Sequence, residues 1–164
     1  VYQGQELGLP EVDVPVAARQ DPAWARSGVT RDGARVPLPW TTGPAGAHGC
    51  AAAGAAPPWL PVPGEGWGEL SVAAQTGDPG STLELCRTAL AVRRRLHEQG
   101  VVGPDDRATA TLRGDGLLVV DRGGLRLAVN LGEAVEPLPE GDVLVASGPL
   151  DDGRLPPDTA AWVG

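Results

Sequence analysis

About eighty residues with no sustained apolar period precede the single strong helix signal in this chain, and that layout constrains the fold more than anything else. Eleven of the 17 prolines and four of the five tryptophans (Trp24, Trp40, Trp59 and Trp67) fall in this stretch. Structureless loops beyond roughly 15 residues are uncommon in compact domains and are functional or disordered when they occur. Four indoles argue against disorder, because chains that stay unfolded are poor in aromatics. Gly and Pro make up 41 of 164 residues, near the range of low-complexity chains. The 41% hydrophobic and 21% charged fractions nevertheless describe a loop-heavy globular piece.

The helix signal covers residues 81–98. Asp78-Pro79-Gly80 is turn chemistry, and Ser81-Thr82-Leu83-Glu84 has the spacing of a capping box. Leu83, Cys86 and Leu90 share one stripe, which Leu85, Ala89, Val92 and Leu96 widen. Packing of this stripe on the following region is expected, with Cys86 as a small core hydrophobe. Arg93, Arg94 and Arg95 lie in the last turns, where cations meet the negative end of the helix dipole, and Gly100 supplies the stop. Residues 105–164 switch to period two. Strands are expected at Ala108–Leu112, Leu117–Asp121, Leu125–Leu131, Asp142–Ser147 and Ala160–Val163, in an antiparallel meander or sandwich. Before the helix, only Val1–Gln3 reads as a strand.

Several function classes are disfavoured. The net charge is −8 and the only basic run is Arg93–Arg95, which gives nucleic-acid phosphates no positive footprint. Apolar runs such as Leu117–Val120 fall far short of the ~20 residues of a membrane span, and the first residues show no secretory pattern. Cys50 and Cys86 are too few for a disulfide framework, so a reducing, cytoplasmic setting is the default. His48 and Cys50 lack a second pair at ligand spacing, and no metal or cofactor is expected. Arg113-Gly114-Asp115 falls on an expected hairpin turn, and Gly64–Gly68 neither follows a strand nor opens a helix, so neither carries function. All 13 basic residues are Arg, and the chain has no Met and opens in mid-motif, as expected of a fragment of a longer protein.

The informative segment is Thr30-Arg31-Asp32-Gly33-Ala34-Arg35-Val36-Pro37-Leu38-Pro39-Trp40. It packs two guanidinium groups, a carboxylate and an indole into one stretch of loop. Arginine forks hold hydroxyls or carboxylates in fixed geometry. On physical grounds alone, a loop stapled by Arg–Asp pairs is the first reading.

The segment Tyr2-Gln3-Gly4-Gln5-Glu6-Leu7-Gly8-Leu9-Pro10 resembles the region closing strand eight in the α-amylase superfamily of glycoside hydrolases, in the α-glucosidase and oligo-1,6-glucosidase branch. The likeness continues in order through Gln20-Asp21-Pro22, Arg26-Ser27-Gly28 and the 31–40 run, which resembles an R-D-x-x-R-T-P-M-x-W pattern. Pro58-Trp59-Leu60, Val72-Ala73-Ala74-Gln75, Asp78-Pro79-Gly80-Ser81 and Val129-Asn130-Leu131 follow. Departures are Gln5 where Glu is common, Val36 and Leu38 in place of Thr and Met, and an Ala/Gly tract over 43–56.

The resemblance implies an α/β plus all-β architecture. Residues 1–98 would be the last strand, long active-site loop and last helix of a (β/α)8 TIM barrel, and 105–164 a C-terminal antiparallel β domain. It implies retaining hydrolysis of short α-glucosides, with an α-glucoside oligosaccharide and the N-terminal remainder of the barrel as the partners. The nucleophile and the acid/base would lie upstream of Val1, so no catalytic residue is assigned here and the chain alone is expected to be inactive. Arg35 would reach the innermost sugar and Glu6 the next one outward, while Arg31, Asp32 and Trp40 brace the loop. Three alternatives stay open: a non-catalytic relative, a carbohydrate-binding β module, and a transglycosylating relative of the trehalose-forming or sucrose-isomerising kind. The module is the weakest, because Trp162 is the only aromatic residue in 105–164.

Overall fold

A computed structural model describes residues 2–52 and 54–164. The chain divides into two compact units, Val1–Glu84 and Leu85–Gly164.

The first unit is built from short pieces: 3-10 turns at Gln5–Leu7, Val16–Ala18, Asp32–Ala34 and Trp67–Leu70, and the helices α1 (Pro22–Ser27), α2 (Ala45–Gly49) and α3 (Val72–Gln75). α2 is a helix only by its hydrogen bonding, since Gly46, Ala47 and His48 have left-handed backbone angles. This single turn closes part of the Ala/Gly tract. The expected strand Val1–Gln3 does not form at Tyr2 and Gln3, and Val1 lies outside the described residues. A strand exists only against a neighbour, and here the chain turns at once, with the Gln5 amide donating to the Tyr2 carbonyl at 3.1 Å.

A unit with so little regular structure still needs a core and partners for its backbone. Val14, Val36, Leu60 and Trp67 are buried together, with Leu9, Val12, Ala18, Val62 and Leu70 packed around them. Buried side chains take over the bonding that strands would have provided. The Trp67 indole N–H donates to the Pro37 carbonyl at 3.0 Å. Gln75 donates from Nε2 to the carbonyls of Leu7 and Leu70, both at 2.9 Å, and its Oε1 accepts the Leu83 amide at 3.0 Å. One carboxamide thus ties Leu83 and the turn before α3 to Leu7, which lies 68 residues from Gln75 in sequence.

Helix α4 runs Thr82–Glu98. Ser81 Oγ accepts the Glu84 amide at 3.2 Å, which is half of the expected capping box. The other half is diverted: the Glu84 carboxylate accepts the Gly77 amide, and the Ser81 amide donates to the Asp78 carbonyl.

In the second unit, β1 (Ala108–Arg113), β2 (Leu117–Arg122), β3 (Leu125–Asn130), β4 (Val143–Ala146) and β5 (Ala160–Val163) form one antiparallel sheet. Its order is β1-β2-β3-β5-β4, so the last strand inserts between β3 and β4. β2 and β3 meet through the two-residue loop Gly123-Gly124, with Gly123 at φ +58°, where an L side chain is disfavoured. One sheet face buries Leu117, Val119, Ala128 and Ala161 under Leu155, with Leu138, Ala146 and Leu150 around them. The other meets α4, where Val92, Leu96 and Val102 pack with Leu125, Leu144 and Trp162. The alternation of faces follows from the two-residue period of a strand.

The helix contributes to this packing differently from expectation. Leu90 is 53% exposed, Cys86 is only half-buried, and Leu83 belongs to the first unit; Val92 and Leu96 make the contact. At 3.6 residues per turn Leu90 points roughly 160° away from Val92. The wide apolar face therefore could not all address one sheet. No helix among the described residues is long and apolar enough to cross a membrane.

Leu155 is fully buried and Leu112, on the edge strand β1, is 66% exposed. Leu155→Ala is expected to lower unfolding stability by about 2–5 kcal/mol. Leu112→Ala should stay within about 0.5 kcal/mol. Urea denaturation followed by far-UV circular dichroism checks both values.

Candidate functional site

The site is organised around two aspartates that the backbone almost encloses, Asp21 at 4% exposure and Asp32 at 1%. Asp21 is the N-cap of α1. Its Oδ1 accepts the Ala23 amide at 3.0 Å, with Pro22 at the first helical position, where no N–H is needed. Its second function is to receive Arg31. The guanidinium donates from Nε to Oδ2 at 2.7 Å and from Nη2 to Oδ1 at 2.9 Å, and the Arg31 amide adds 3.1 Å to Oδ2. Asp32 closes the loop from the other side. Its Oδ2 accepts the amides of Gln20 and Asp21 and the Thr30 hydroxyl at 2.8, 3.0 and 2.7 Å.

These contacts set the protonation of both acids. Hydrogen bonds from Arg31, then the Ala23 amide, hold the Asp21 carboxyl far below the usual carboxylate range despite its burial. For Asp32, burial pushes upward, but the Asp21 amide, the Thr30 hydroxyl and the Gln20 amide outweigh it and the carboxyl is lowered. The same pairing raises Arg31, through its hydrogen bonds to Asp21. The Arg31 side chain is 64% exposed, so solvent screens the charge attraction and the bidentate geometry matters more.

Arg35 completes the group with different geometry. Its Nη1 lies 3.8 Å from Asp21 Oδ2, and the side chain is 40% exposed. That separation exceeds a hydrogen bond. Asp21 therefore attracts the guanidinium without taking up its donors. Arg35 lines a cleft of about 490 Å³ together with Gln20, Pro37, Pro58, Trp59 and Leu60. The spacing from Asp32 to Arg35 is fixed by Gly33, whose carbonyl accepts the Val12 amide at 3.1 Å. A Cβ on Gly33 would come 2.2 Å from the Val12 carbonyl oxygen. The loop can approach Val12 only because residue 33 has no side chain.

Of the residues singled out in the sequence, Arg31, Asp32 and Arg35 come together and two others stand apart. The Glu6 carboxylate accepts the Gly4 amide at 3.0 Å within the first turn of the chain. Trp40 is 52% exposed, and its amide and that of Thr41 both donate to the His48 carbonyl, at 2.7 and 2.9 Å. Asp21, the centre of the group, was not singled out. The signal was present in Gln20-Asp21-Pro22, since an Asp before Pro is the pattern of a helix N-cap followed by its first residue. Among the described residues no group of three or more His, Cys, Asp and Glu side chains could hold a metal ion.

Both aspartates have a folded-state pKa below the unfolded value of about 3.9, so their contribution to stability is full above roughly pH 5 and lost as pH falls through the folded values. The melting temperature is expected to decline between about pH 4 and pH 2. Asp21→Asn should lower the melting temperature at pH 7 and make that acid decline shallower. Thermal scans across this pH range test both effects, and an unchanged acid slope would remove Asp21 as its source.

Comparison with known proteins bears on all of this. Residues 105–162, which include the five strands up to Trp162, match the domain of unknown function DUF3459. A curated protein of Rhizobium meliloti (strain 1021) named "Probable alpha-glucosidase" is 36% identical over 97 residues, covering 57% of this chain and 16% of that protein. The crystal structure of an alpha-glucosyl transfer enzyme, XgtA, matches with a TM-score of 0.73 at 30% identity, covering 100% of this chain and 32% of the other. The chain thus spans about a sixth of the length of the one and a third of the other. It is similar to a probable alpha-glucosidase and to an alpha-glucosyl transfer enzyme, and covers only a part of either.

Proposed function

We propose that this chain is the C-terminal part of a cytoplasmic, retaining α-glucosidase, in which the first unit walls the sugar pocket of a (β/α)8 barrel and residues 105–164 of the second are the C-terminal β domain. In this reading residues 1–98 supply the last barrel strand, which would form only against the neighbouring strands, its long loop and the last helix, and 105–164 the β domain. Barrel enzymes carry their sites on the loops after the strands, and long loops there are functional loops. The observation that carries the proposal is the state of Arg35: held beside a buried carboxylate, its guanidinium making no hydrogen bond among the described residues, and lining a cleft.

Retaining hydrolysis uses two carboxyls about 5–5.5 Å apart, one attacking the anomeric carbon and the other protonating the leaving oxygen. Both would come from the part of the enzyme that precedes this chain. Arg35 would donate from its fork to hydroxyls of the innermost glucose. Arg31 and Asp32 would fix the loop that carries it, with Arg31 satisfying Asp21 so that Arg35 need not. Glu6 would border the next sugar outward, and Trp40 would brace the loop. Transfer of glucose to a sugar acceptor is the second reading, favoured by the likeness of the whole chain to a glucosyl transfer enzyme. Product analysis with maltose separates the two: glucose alone marks hydrolysis, and longer oligosaccharides mark transfer.

Two outcomes follow from this reading. The chain expressed alone should release no p-nitrophenol from p-nitrophenyl α-glucoside, because in this reading the carboxyl pair lies in the part that precedes it. In the full-length enzyme, Arg35→Ala should lower kcat/KM by about ten- to a few hundred-fold, the loss of one or two charge-assisted hydrogen bonds. Arg35→Lys should recover little, since an ammonium has no planar fork. Normal kinetics in a well-folded Arg35→Ala enzyme would take Arg35 out of the substrate site.

A further inference from the structure

The tryptophans of the first unit are in very different states. Trp67 is 4% exposed and bonded through its indole N–H, and the ring of Trp24 is covered by the Arg19 guanidinium at 4.0 Å. Trp59 is 89% exposed. An indole carries 150–250 Å² of largely apolar surface, so leaving one in water forgoes a large stabilisation. A mobile loop tip would explain such a residue cheaply, but the backbone around Trp59 is stiff. It sits in Pro57-Pro58-Trp59-Leu60-Pro61, where three rings lock their own φ angles and Pro61 keeps Leu60 out of the helical region. Leu60 is 8% exposed and belongs to the buried cluster with Val14, Val36 and Trp67. The segment is therefore anchored by one residue and presents the next one outward.

What it presents lines the cleft that Arg35 lines. At about 490 Å³ this cleft lies within the 300–1,000 Å³ typical of small-molecule sites. Its wall combines an aromatic face with an uncommitted guanidinium fork. A pyranose has the complementary surface: C–H groups on its ring faces and hydroxyls around its edge. Arg35 is 40% exposed at its side chain and Trp59 is 89% exposed.

We propose that Trp59 is the stacking platform for the second sugar of the substrate, the unit next to the glucose held by Arg35, and so determines preference for oligosaccharides over single-sugar glucosides. This rests on the glucoside-binding reading given above. Arg35 grips hydroxyls and defines the innermost position, while Trp59 covers a ring face and accepts sugars with tolerance for linkage. The proline strut means that no loop must be ordered for the indole to engage, so the affinity is not reduced by an ordering cost.

The test uses the full-length enzyme and two substrates. α-Glucosyl fluoride places a sugar only in the innermost position, and maltose fills that position and the next. Trp59→Ala is expected to lower kcat/KM for maltose about tenfold, chiefly through KM, and to leave α-glucosyl fluoride within about twofold. Trp59→Phe should restore most of the maltose activity. Arg35→Ala should lower both substrates together; if it lowers neither while Trp59→Ala still affects maltose alone, the role of Arg35 fails and that of Trp59 stands. Equal loss on both substrates with a lowered melting temperature would assign Trp59 to packing against the rest of the enzyme and overturn the proposal. Unchanged maltose kinetics in Trp59→Ala would overturn it equally.

Discussion

The carboxylate of Asp21 is the point on which the first unit turns. It is nearly inaccessible to water and receives the Ala23 amide, the Arg31 amide and both arms of the Arg31 fork. A buried charge is tolerated only when its hydrogen-bonding capacity is met. The chain from 20 to 35 is arranged to meet it, first by starting a helix at Asp21 and then by returning Arg31 to the same oxygens. Asp32 repeats the device one layer on, accepting the amides of Gln20 and Asp21. A loop that could have been mobile becomes a fixed scaffold, and Arg35 projects from it.

The same logic holds the rest of that unit. Strands satisfy their backbone in bulk through ladders, whereas here it is done singly. Gln75 reaches Leu7, Leu70 and Leu83, Trp67 reaches Pro37, and the His48 carbonyl accepts from Trp40 and Thr41. Such bonds are individually modest, about 0.5–1.5 kcal/mol net, but each leaves a buried group stranded if its partner is lost. The second unit is built in the opposite way, with a five-stranded ladder and two apolar faces.

This difference explains what the sequence disclosed. The period-two signal located all five strands to within a residue or two at each end, because alternation is dictated by the pleat and the turns carry their own residues. Helix α4 was legible for the same local reasons, through Ser81, the apolar spacing and the terminal arginines. Which side of that helix meets the sheet was not, since a face wide enough to include both Leu90 and Val92 does not say which part is covered. In the first unit the informative residues were visible but their pairing was not. Arg31, Asp32 and Arg35 stand out as a cluster, yet the acid that collects them lies ten residues before Arg31, and no periodicity links position 21 to 31. The roles of Gln75 and Gly33 are equally silent, because both depend on segments brought close only by the fold.

The contact between Gly33 and Val12 has a consequence for how this pocket could be altered by selection or by design. Residue 33 cannot gain even a methyl group without displacing the backbone at Val12, and the preceding residue, Asp32, holds the amides of Gln20 and Asp21. Variation along 31–33 therefore disturbs the scaffold before it changes any preference. Of the other residues lining the cleft, Trp59 is 89% exposed, so its indole carries little contact of its own. The two segments should accordingly differ in evolvability: one frozen by its own architecture, the other open to substitution, so a library aimed at new sugar acceptors belongs on the proline-bordered one.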